Sequence, residues 1–132
     1  MQERSNFSSG SAWEDQVAYS RAVRIGNHIE VSGTTSVEGN QIFGENDLYA
    51  QTRFILQKIE TILAEAGATM ADVVRTRMYV TDISQWKEVA RAHKEYFREI
   101  KPAASMVEVS RLIHPDLLIE IEVSAYIKQE QG

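Results

Sequence analysis

The sequence predicts an α+β domain in which two helices cover one face of a mixed β-sheet. Two long stretches carry apolar residues at helical spacing, and five short stretches alternate apolar and polar residues as strands do. The predicted order is β-β-α-β-α-β-β. Because each helical stretch has a single apolar stripe, both helices can lie on the same side of the sheet, which gives a two-layer architecture.

Length and composition bound the class of protein. The chain has 132 residues, of which 43% are apolar and 25% are charged, as in an ordinary globular domain. Residues 1–12 are polar and rich in Ser and Gly, which predicts a flexible N-terminal tail, and residues 13–132 are predicted to form a single domain. No apolar run is long enough to span a bilayer and no signal-peptide pattern is present, so we expect a cytoplasmic protein with no membrane contact.

The first two strands are predicted to form a hairpin. Alternation places them over residues 17–23 and 28–37, and the turn pair Gly26-Asn27 joins them. Gly33 interrupts the second strand, which indicates a bulge or a close approach by another group.

The two helices and the strand between them have clear boundaries. Asp47 is suited to cap the first helix and Gly67 to end it. A third strand is predicted over residues 72–80, and Asp82 caps the second helix, which Pro102 closes. The stripe of the first helix consists of Leu48, Thr52, Ile55, Leu56, Ile59, Ile62, Leu63 and Ala66.

The C-terminal stretch, residues 101–127, is predicted to form two neighbouring strands. Their apolar residues share one face, which the helices would cover. The other face would carry charged residues from three strands: Arg75, Arg77, Glu108, Glu120 and Glu122. Tyr79 and Met106 lie among these charges. Association with other copies of the chain would cover such a mixed face.

Several kinds of chemistry are excluded by residue type. The chain has no Cys, which excludes disulfides, thiol nucleophiles and zinc–thiolate sites. His28, His93 and His114 are scattered without metal-ligand spacing, so we expect no metal, and His93 is predicted to be a packed or interface residue. The net charge of −5 disfavours nucleic-acid binding. Without a G-x-G-x-x-G motif, no dinucleotide site is indicated.

Two interpretations of the central carboxylates remain open from the pattern alone. Glu120 and Glu122 can act as general acid or base if their face is enclosed, because burial raises the pKa of a carboxyl group. Alternatively, they are solvated or pair with Arg75 and Arg77 across the sheet.

Several colinear motifs resemble the Rid/YjgF family, whose members are also labelled L-PSP endoribonucleases. The motifs are Ile25-Gly26-Asn27, Val31-Ser32-Gly33, Ala64-Glu65-Ala66-Gly67, Tyr79-Val80-Thr81-Asp82, residues 102–112 and Ile119-Glu120-Ile121-Glu122. The resemblance covers residues 19–127. It implies a chorismate-mutase-like fold, a homotrimer and ligand clefts between subunits.

The resemblance also implies an activity and its residues. The best-known reaction of the family is cofactor-free hydrolysis of 2-imino acids, or their enamine tautomers, to 2-keto acids and ammonia. An arginine holds the substrate carboxylate in those members, and Ala104 stands at its position here, which puts this reaction in doubt. The implied catalytic residue is Glu120. The implied ligand-binding positions are Tyr19, Ser32, Ala104, Ser105 and Met106.

Arg21 completes the set of predicted ligand-binding residues. By strand parity it shares a face with Tyr19, so we expect it to supply the anion contact that Ala104 lacks, although a surface or interface ion pair is the alternative. Three functions follow: a hydrolase or deaminase acting on a C–N bond of a small polar or anionic metabolite, a non-catalytic metabolite-binding or regulatory protein, and an endoribonuclease. The acidic charge opposes the last.

Overall fold

The computed structural model describes residues 3–128 and shows the two-layer α+β architecture that the sequence predicts. Two long helices, α2 (Leu48–Glu65) and α3 (Trp86–Phe97), pack on the sheet and on each other. The sheet strands are β1 (Arg4–Phe7), β2 (Ala22–Ile25), β3 (His28–Thr34), β6 (Val73–Val80), β7 (Ala103–Glu108) and β8 (Ile119–Tyr126). A two-stranded hairpin, β4 (Val37–Glu38) and β5 (Gln41–Ile42), precedes α2.

The sheet is mixed, with the strand order β1-β2-β3-β8-β6-β7. Among the strands of residues 3–128, only the β6–β7 pair is parallel, and α3 connects these two strands as a crossover. The other paired strands run antiparallel. The predicted β-β-α-β-α-β-β order is present as β2-β3-α2-β6-α3-β7-β8, with β1, a short helix and the β4–β5 hairpin added.

The core lies between the sheet and the two helices. It is built from the predicted stripe of α2 and from alternate residues of the central strands: Ile29, Val31, Ile55, Leu56, Ile59, Leu63, Ile119, Ile121 and Val123. Each such side chain contributes about 1.5–3 kcal/mol on burial. This packing fixes β3 and β8 side by side, and it therefore also fixes the backbone positions of the residues on the opposite face of these strands.

The predicted caps of the first helix are confirmed, whereas Asp82 caps a short turn before the second helix and not α3 itself. Asp47 accepts a hydrogen bond from the Ala50 amide at 3.0 Å at the start of α2. Gly67 follows the end of α2 with a φ of +93°. Asp82 accepts from the Ser84 amide at 3.1 Å and starts a 3-10 turn, Ile83–Gln85, that leads into α3.

The N-terminal region differs from the prediction. Within the predicted tail, Arg4–Phe7 forms β1, an edge strand antiparallel to β2. The prediction of a strand over residues 17–23 is wrong. Helix α1 (Ala12–Val17) includes the first of these residues, and β2 begins only at Ala22. Ser11 caps α1 by accepting a hydrogen bond from the Trp13 amide. This local bond favours a helix at the start of the region where apolar and polar residues alternate only weakly.

The C-terminal strands also differ from the prediction. The strands β7 and β8 are not neighbours, because β6 lies between them and pairs with both. Glu108 pairs with Val80, whose side chain is buried in the core, so it is not on the face of Glu120 and Glu122. Its Oε1 instead accepts a hydrogen bond from the Ile83 amide at 3.0 Å. Met106 likewise lies on the helix side, beside Met78.

Candidate functional site

A bulge in β3 brings the side chain of Glu120 against the backbone of Gly33. The register between β3 and β8 shifts between Val31 and Thr34, so Gly33 occupies the bulge that its position in the sequence predicts. A β-carbon at residue 33 would collide with Oε2 of Glu120. The missing side chain of Gly33 therefore provides the space for this carboxylate.

Arg21 lies beside the same bulge. Its Nη2 donates a hydrogen bond to the carbonyl oxygen of Gly33 at 2.5 Å, and its side chain is only 8% exposed. The Arg21 Cζ atom lies 5.7 Å from the centroid of the Tyr19 ring, within the range of a cation–π contact. The expected proximity of Arg21 and Tyr19 is therefore present, although both residues precede β2 and do not share a strand.

Ser32 ties the bulge to the segment before β2. Its hydroxyl donates to the carbonyl oxygen of Ser20 at 2.6 Å, and its amide donates to the carbonyl of Arg21 at 3.0 Å. These two bonds fix the backbone that carries Arg21 relative to the bulge that carries Gly33. The structure thus brings Tyr19, Arg21, Ser32 and Glu120 together.

The environment of Glu120 favours its protonated form. Burial raises the pKa of its carboxyl group, the charge of Glu122 raises it further, and the charge of Arg21 opposes both. The neighbouring Tyr79 donates a hydrogen bond to Oε1 of Glu122 at 2.8 Å. This bond raises the pKa of the Tyr79 phenol and keeps Glu122 oriented next to Glu120.

Glu14 is a buried carboxylate that sequence reasoning missed. It is 5% exposed and accepts hydrogen bonds from the hydroxyls of Ser8, at 2.8 Å, and of Ser9. Burial alone would raise the pKa of Glu14, but the bonds from Ser9 and Ser8 and the charge of Arg21 hold it below the ordinary value. No short sequence motif identifies this cluster, because Ser8 and Ser9 approach Glu14 only through the turn that leads into the short helix α1.

A second group of predicted residues lies in a cleft between α3 and β7. The cleft has a volume of about 640 Å³, and its apolar lining includes Ala90, Ala104 and Met106. His93 also lines it; burial lowers the pKa of its imidazole, and its Nε2 lies 3.0 Å from Oγ1 of Thr76. The rim carries the cationic residues Lys94, Arg98 and Lys101.

The two groups point away from each other within one chain. Ala104 pairs with the buried Thr76 and lies on the helix side of the sheet, whereas Glu120 pairs with Tyr79 on the other side. Ser105 is on the Glu120 side, where its hydroxyl accepts a hydrogen bond from Nη2 of Arg75 at 2.9 Å. The predicted site residues therefore form two partial sites on opposite faces.

Residues 3–128 contain no group of three or more His, Asp or Glu side chains able to hold a metal ion. Within the same range, none of the helices has the length and apolar character needed to cross a membrane.

The family model described as Endoribonuclease L-PSP matches residues 10–127. The chain belongs to this family, which is also called Rid/YjgF. It is similar to Rv2704 of Mycobacterium tuberculosis, a member of the YjgF/YER057c/UK114 family, with 54% identity, coverage of 95% of this chain and 100% of that chain, and a TM-score of 0.87. The chorismate-mutase-like fold implied by the resemblance is confirmed.

Two further Rid/YjgF relatives carry RutC names. The RutC family protein PYRAB12510 of Pyrococcus abyssi is 40% identical over 82% of this chain and 85% of its own length. The 3-aminoacrylate deaminase RutC of Acinetobacter baylyi is 34% identical over 83% of this chain and 86% of its own length. The family therefore includes a protein named for deamination of an enamine.

Proposed function

We propose that this Rid/YjgF chain forms a cytoplasmic homotrimer that binds a small polar or anionic metabolite between subunits. It hydrolyses an imine, enamine or related C–N bond of that metabolite, with no cofactor. Glu120 is the acid/base residue, and Tyr19, Arg21, Ser32, Ala104, Ser105 and Met106 line the cleft.

One observation carries the catalytic part of this proposal. The carboxyl group of Glu120 is partly buried, is held against Gly33 and has a pKa raised by burial and by Glu122. A general acid/base works best when its pKa lies near the working pH, and a raised pKa moves a carboxyl group in that direction. An ordinary surface glutamate has neither the fixed position nor the shifted pKa.

The chemistry requires only water and one group that exchanges protons. For an enamine, Glu120 in its protonated form donates its proton to the carbon, which gives the iminium ion. The resulting carboxylate then accepts a proton from water as the water oxygen attacks the iminium carbon, which gives the carbinolamine. Glu120 next donates this proton to the amino nitrogen, ammonia leaves as the C–N bond breaks, and the Glu120 carboxylate takes the hydroxyl proton, which leaves the carbonyl group. General acid/base catalysis of this kind contributes about 10²–10⁴-fold.

The placement between subunits is supported by the separation of the two partial sites. Glu120 and Ala104 are on opposite faces of one sheet, so a ligand that touches both must lie between two copies of the chain. The face of Glu120 also carries Arg77, Glu122 and the exposed Tyr126, a mixed surface that other subunits would cover.

The named activity of one relative supports the choice of bond. The Acinetobacter baylyi protein is named a 3-aminoacrylate deaminase, and 3-aminoacrylate contains an enamine. Removal of its amino group is the same hydrolysis proposed here.

An ammonia-release assay tests the proposal. An amino-acid oxidase would generate 2-imino acids in situ, and enamines would be generated in a parallel assay. We expect faster ammonia release with the native chain and loss of the effect in Glu120→Gln. Glu60→Gln, which changes an exposed glutamate on α2, is the matched control. Equal activity of the Glu120→Gln and Glu60→Gln variants would overturn the catalytic assignment.

A non-catalytic binding protein is the second candidate, and Ala104 favours it. Without a cation at this position, the α3–β7 cleft offers a substrate carboxylate no bidentate partner from β7. Ligand binding between subunits without ammonia release would support this candidate. An endoribonuclease would require RNA cleavage that is lost in Glu120→Gln, and the net charge of −5 opposes RNA binding.

A further inference from the structure

His93 of α3 and Thr76 of β6 form a hydrogen-bonded pair beside the α3–β7 cleft. Thr76 is fully buried, and its Oγ1 atom lies 3.0 Å from Nε2 of His93, which lines the cleft. Among residues 3–128, the hydroxyl of Thr76 forms no other hydrogen bond, so Nε2 of His93 is its one available acceptor. A buried hydroxyl proton without an acceptor is costly, and the network therefore assigns the donor role to Thr76 and the acceptor role to Nε2.

The other ring nitrogen of His93 then carries the proton. A neutral imidazole has one N–H group and one acceptor nitrogen, so an accepting Nε2 leaves the N–H group at Nδ1. Burial lowers the pKa of His93, which keeps the ring neutral at neutral pH. His93 thus presents one uncharged donor, Nδ1–H.

This donor has no partner and is accessible. Nδ1 of His93 forms no hydrogen bond within residues 3–128, yet it is not enclosed, because in that range the only enclosed side-chain nitrogen or oxygen without a partner is Nε of Arg21. The open space that His93 lines is the α3–β7 cleft, whose volume of about 640 Å³ is typical of small-molecule sites. In such clefts, a few polar groups among apolar ones determine how a ligand is oriented.

The surroundings of Nδ1–H favour an uncharged acceptor. The His93 ring packs on the ring of Phe97, with 4.6 Å between the centroids, and Met78, Ala104 and Met106 also line the cleft. Moving a carboxylate from water into apolar surroundings costs more free energy than one neutral N–H donor returns. The carbonyl oxygen of a ketone, amide or ester carries no net charge, so a single hydrogen bond can satisfy it there.

We propose that Nδ1–H of His93 binds the uncharged carbonyl oxygen of a ligand whose apolar part fills the α3–β7 cleft. Thr76 is the positioning residue, because its hydroxyl fixes which ring nitrogen carries the proton. The inference rests on the cleft named in the proposed function and deepens it, since it adds a recognition group of the ligand apart from the reacting C–N bond. Binding at this carbonyl site does not require turnover.

Three probes of nearly the same size and planar shape test the site: acetophenone, α-methylstyrene and benzoate. Acetophenone offers a carbonyl oxygen, α-methylstyrene has a CH₂ group in its place, and benzoate offers a charged carboxylate. The readout is the pair of ring nitrogen-15 resonances of His93, assigned by their loss in His93→Gln. We expect acetophenone to shift the Nδ1 resonance and to bind about threefold to tenfold more tightly than α-methylstyrene, the effect of one neutral hydrogen bond. Benzoate should bind more weakly than acetophenone.

His93→Asn and His93→Gln separate the roles of the two ring nitrogens. Asn places its amide nitrogen near the position of Nδ1, and Gln places its amide near that of Nε2. His93→Asn should therefore retain part of the preference for acetophenone over α-methylstyrene, whereas His93→Gln should lose it. His114→Gln, in the exposed loop before β8, is the matched control and should leave the preference unchanged.

Thr76→Val and Thr76→Ser test the positioning role. Val has nearly the same shape as Thr but no hydroxyl, so the proton of the neutral His93 ring could occupy either nitrogen. We expect the two nitrogen-15 resonances to move toward each other in Thr76→Val and to keep their native values in Thr76→Ser. Unchanged resonances in Thr76→Val would show that Thr76 only packs against the ring. Circular dichroism would verify the fold of each variant.

The binding data decide the inference independently of the ammonia-release assay. Equal affinity for acetophenone and α-methylstyrene, no binding of acetophenone, tighter binding of benzoate, or a preference that survives in His93→Gln would overturn it. Turnover without a preference for acetophenone would refute the carbonyl site alone. The preference without turnover would refute the catalytic proposal alone.

Discussion

Replacing Gly33 by alanine should impair the site far more than the fold. A β-carbon at this position would collide with Oε2 of Glu120 and would lie 2.9 Å from Cδ and 3.3 Å from Cγ of the same side chain. Ordinary carbon–carbon contacts are about 3.5–4.0 Å, so the carboxylate must move. The backbone of Gly33 has no positive φ, so the substitution adds no backbone strain of its own.

The expected magnitudes follow from which atoms move. Because the colliding atoms belong to the end of a flexible side chain, the fold can adjust, and we expect a loss of about 1 kcal/mol in the free energy of unfolding, the lower end of the range for overpacking. The carboxylate of Glu120, the proposed acid/base residue, would in contrast be displaced by roughly 1 Å, and such a misplacement should cost about 10²-fold in turnover.

Urea unfolding and the ammonia-release assay measure the two effects separately. Gly39→Ala is the control, because Gly39 has a φ of +61° and no atom within 4 Å of an added β-carbon. It should cost about 1 kcal/mol through backbone strain and leave turnover unchanged. Native turnover in a folded Gly33→Ala protein would refute the reasoning. The carboxyl carbon-13 resonance of Glu120 offers a readout independent of activity, since a displaced, more solvated carboxyl group should titrate closer to its ordinary pKa.

Three further predictions concern charges. The pKa of Glu120 is raised in the folded protein, so ionisation of Glu120 at high pH destabilises the fold. Glu120→Gln should therefore raise the melting temperature at about pH 8. At about pH 4, where the glutamate is protonated, thermal unfolding should show no such gain. Glu14 has a lowered pKa, so Glu14→Gln should destabilise the fold by about 1–3 kcal/mol at neutral pH, and urea midpoints should converge with the native values as the pH falls below 4.5. Ala104→Arg, with Ala104→Gln as its control, should raise kcat/KM for 2-imino acids about 10–100-fold, because a bidentate donor enters the α3–β7 cleft; equal kcat/KM in both variants would contradict this role.

Local signals in the sequence predicted the parts of the fold that local physics decides. Asp47 and Gly67 mark the ends of α2, and Asp82 marks the 3-10 turn before α3, because capping depends on residues within one turn. Gly33 marked a bulge because an interrupted strand leaves few alternatives. The apolar stripes of α2 and α3 predicted that both helices lie in one layer, because such a stripe depends only on residues three or four positions apart in one helix.

The errors arose where distant segments decide the outcome. Alternation in β7 separates its two faces, but only the pairing with β6 determines which face meets the helices, so Glu108 was assigned to the wrong side. Arg4–Phe7 forms a strand through pairing with β2 and has no apolar face of its own to reveal it. The alternation of residues in a strand predicts Arg21 beside Tyr19, but neither residue lies in a strand. The two side chains are nevertheless in contact, because the turn before β2 brings them together. Glu14 was missed because its serine partners are defined only by the folded turn.

The separation of the partial sites has a consequence for how a ligand would be oriented in the proposed trimer. The α3–β7 cleft presents the apolar residues Ala90, Ala104 and Met106, and the cations Lys94, Arg98 and Lys101 lie at its rim. The opposite wall, from a neighbouring copy, would present the buried Arg21 together with Glu120. In the proposed trimer, Arg21 on the Glu120 wall and the rim cations of the cleft would compete for a ligand carboxylate, and the apolar part of the ligand would pack against Ala104 and Met106. If Arg21 holds the carboxylate, the charged group and Glu120 lie on the same subunit, and the reacting C–N bond must then lie within a few bonds of the carboxylate.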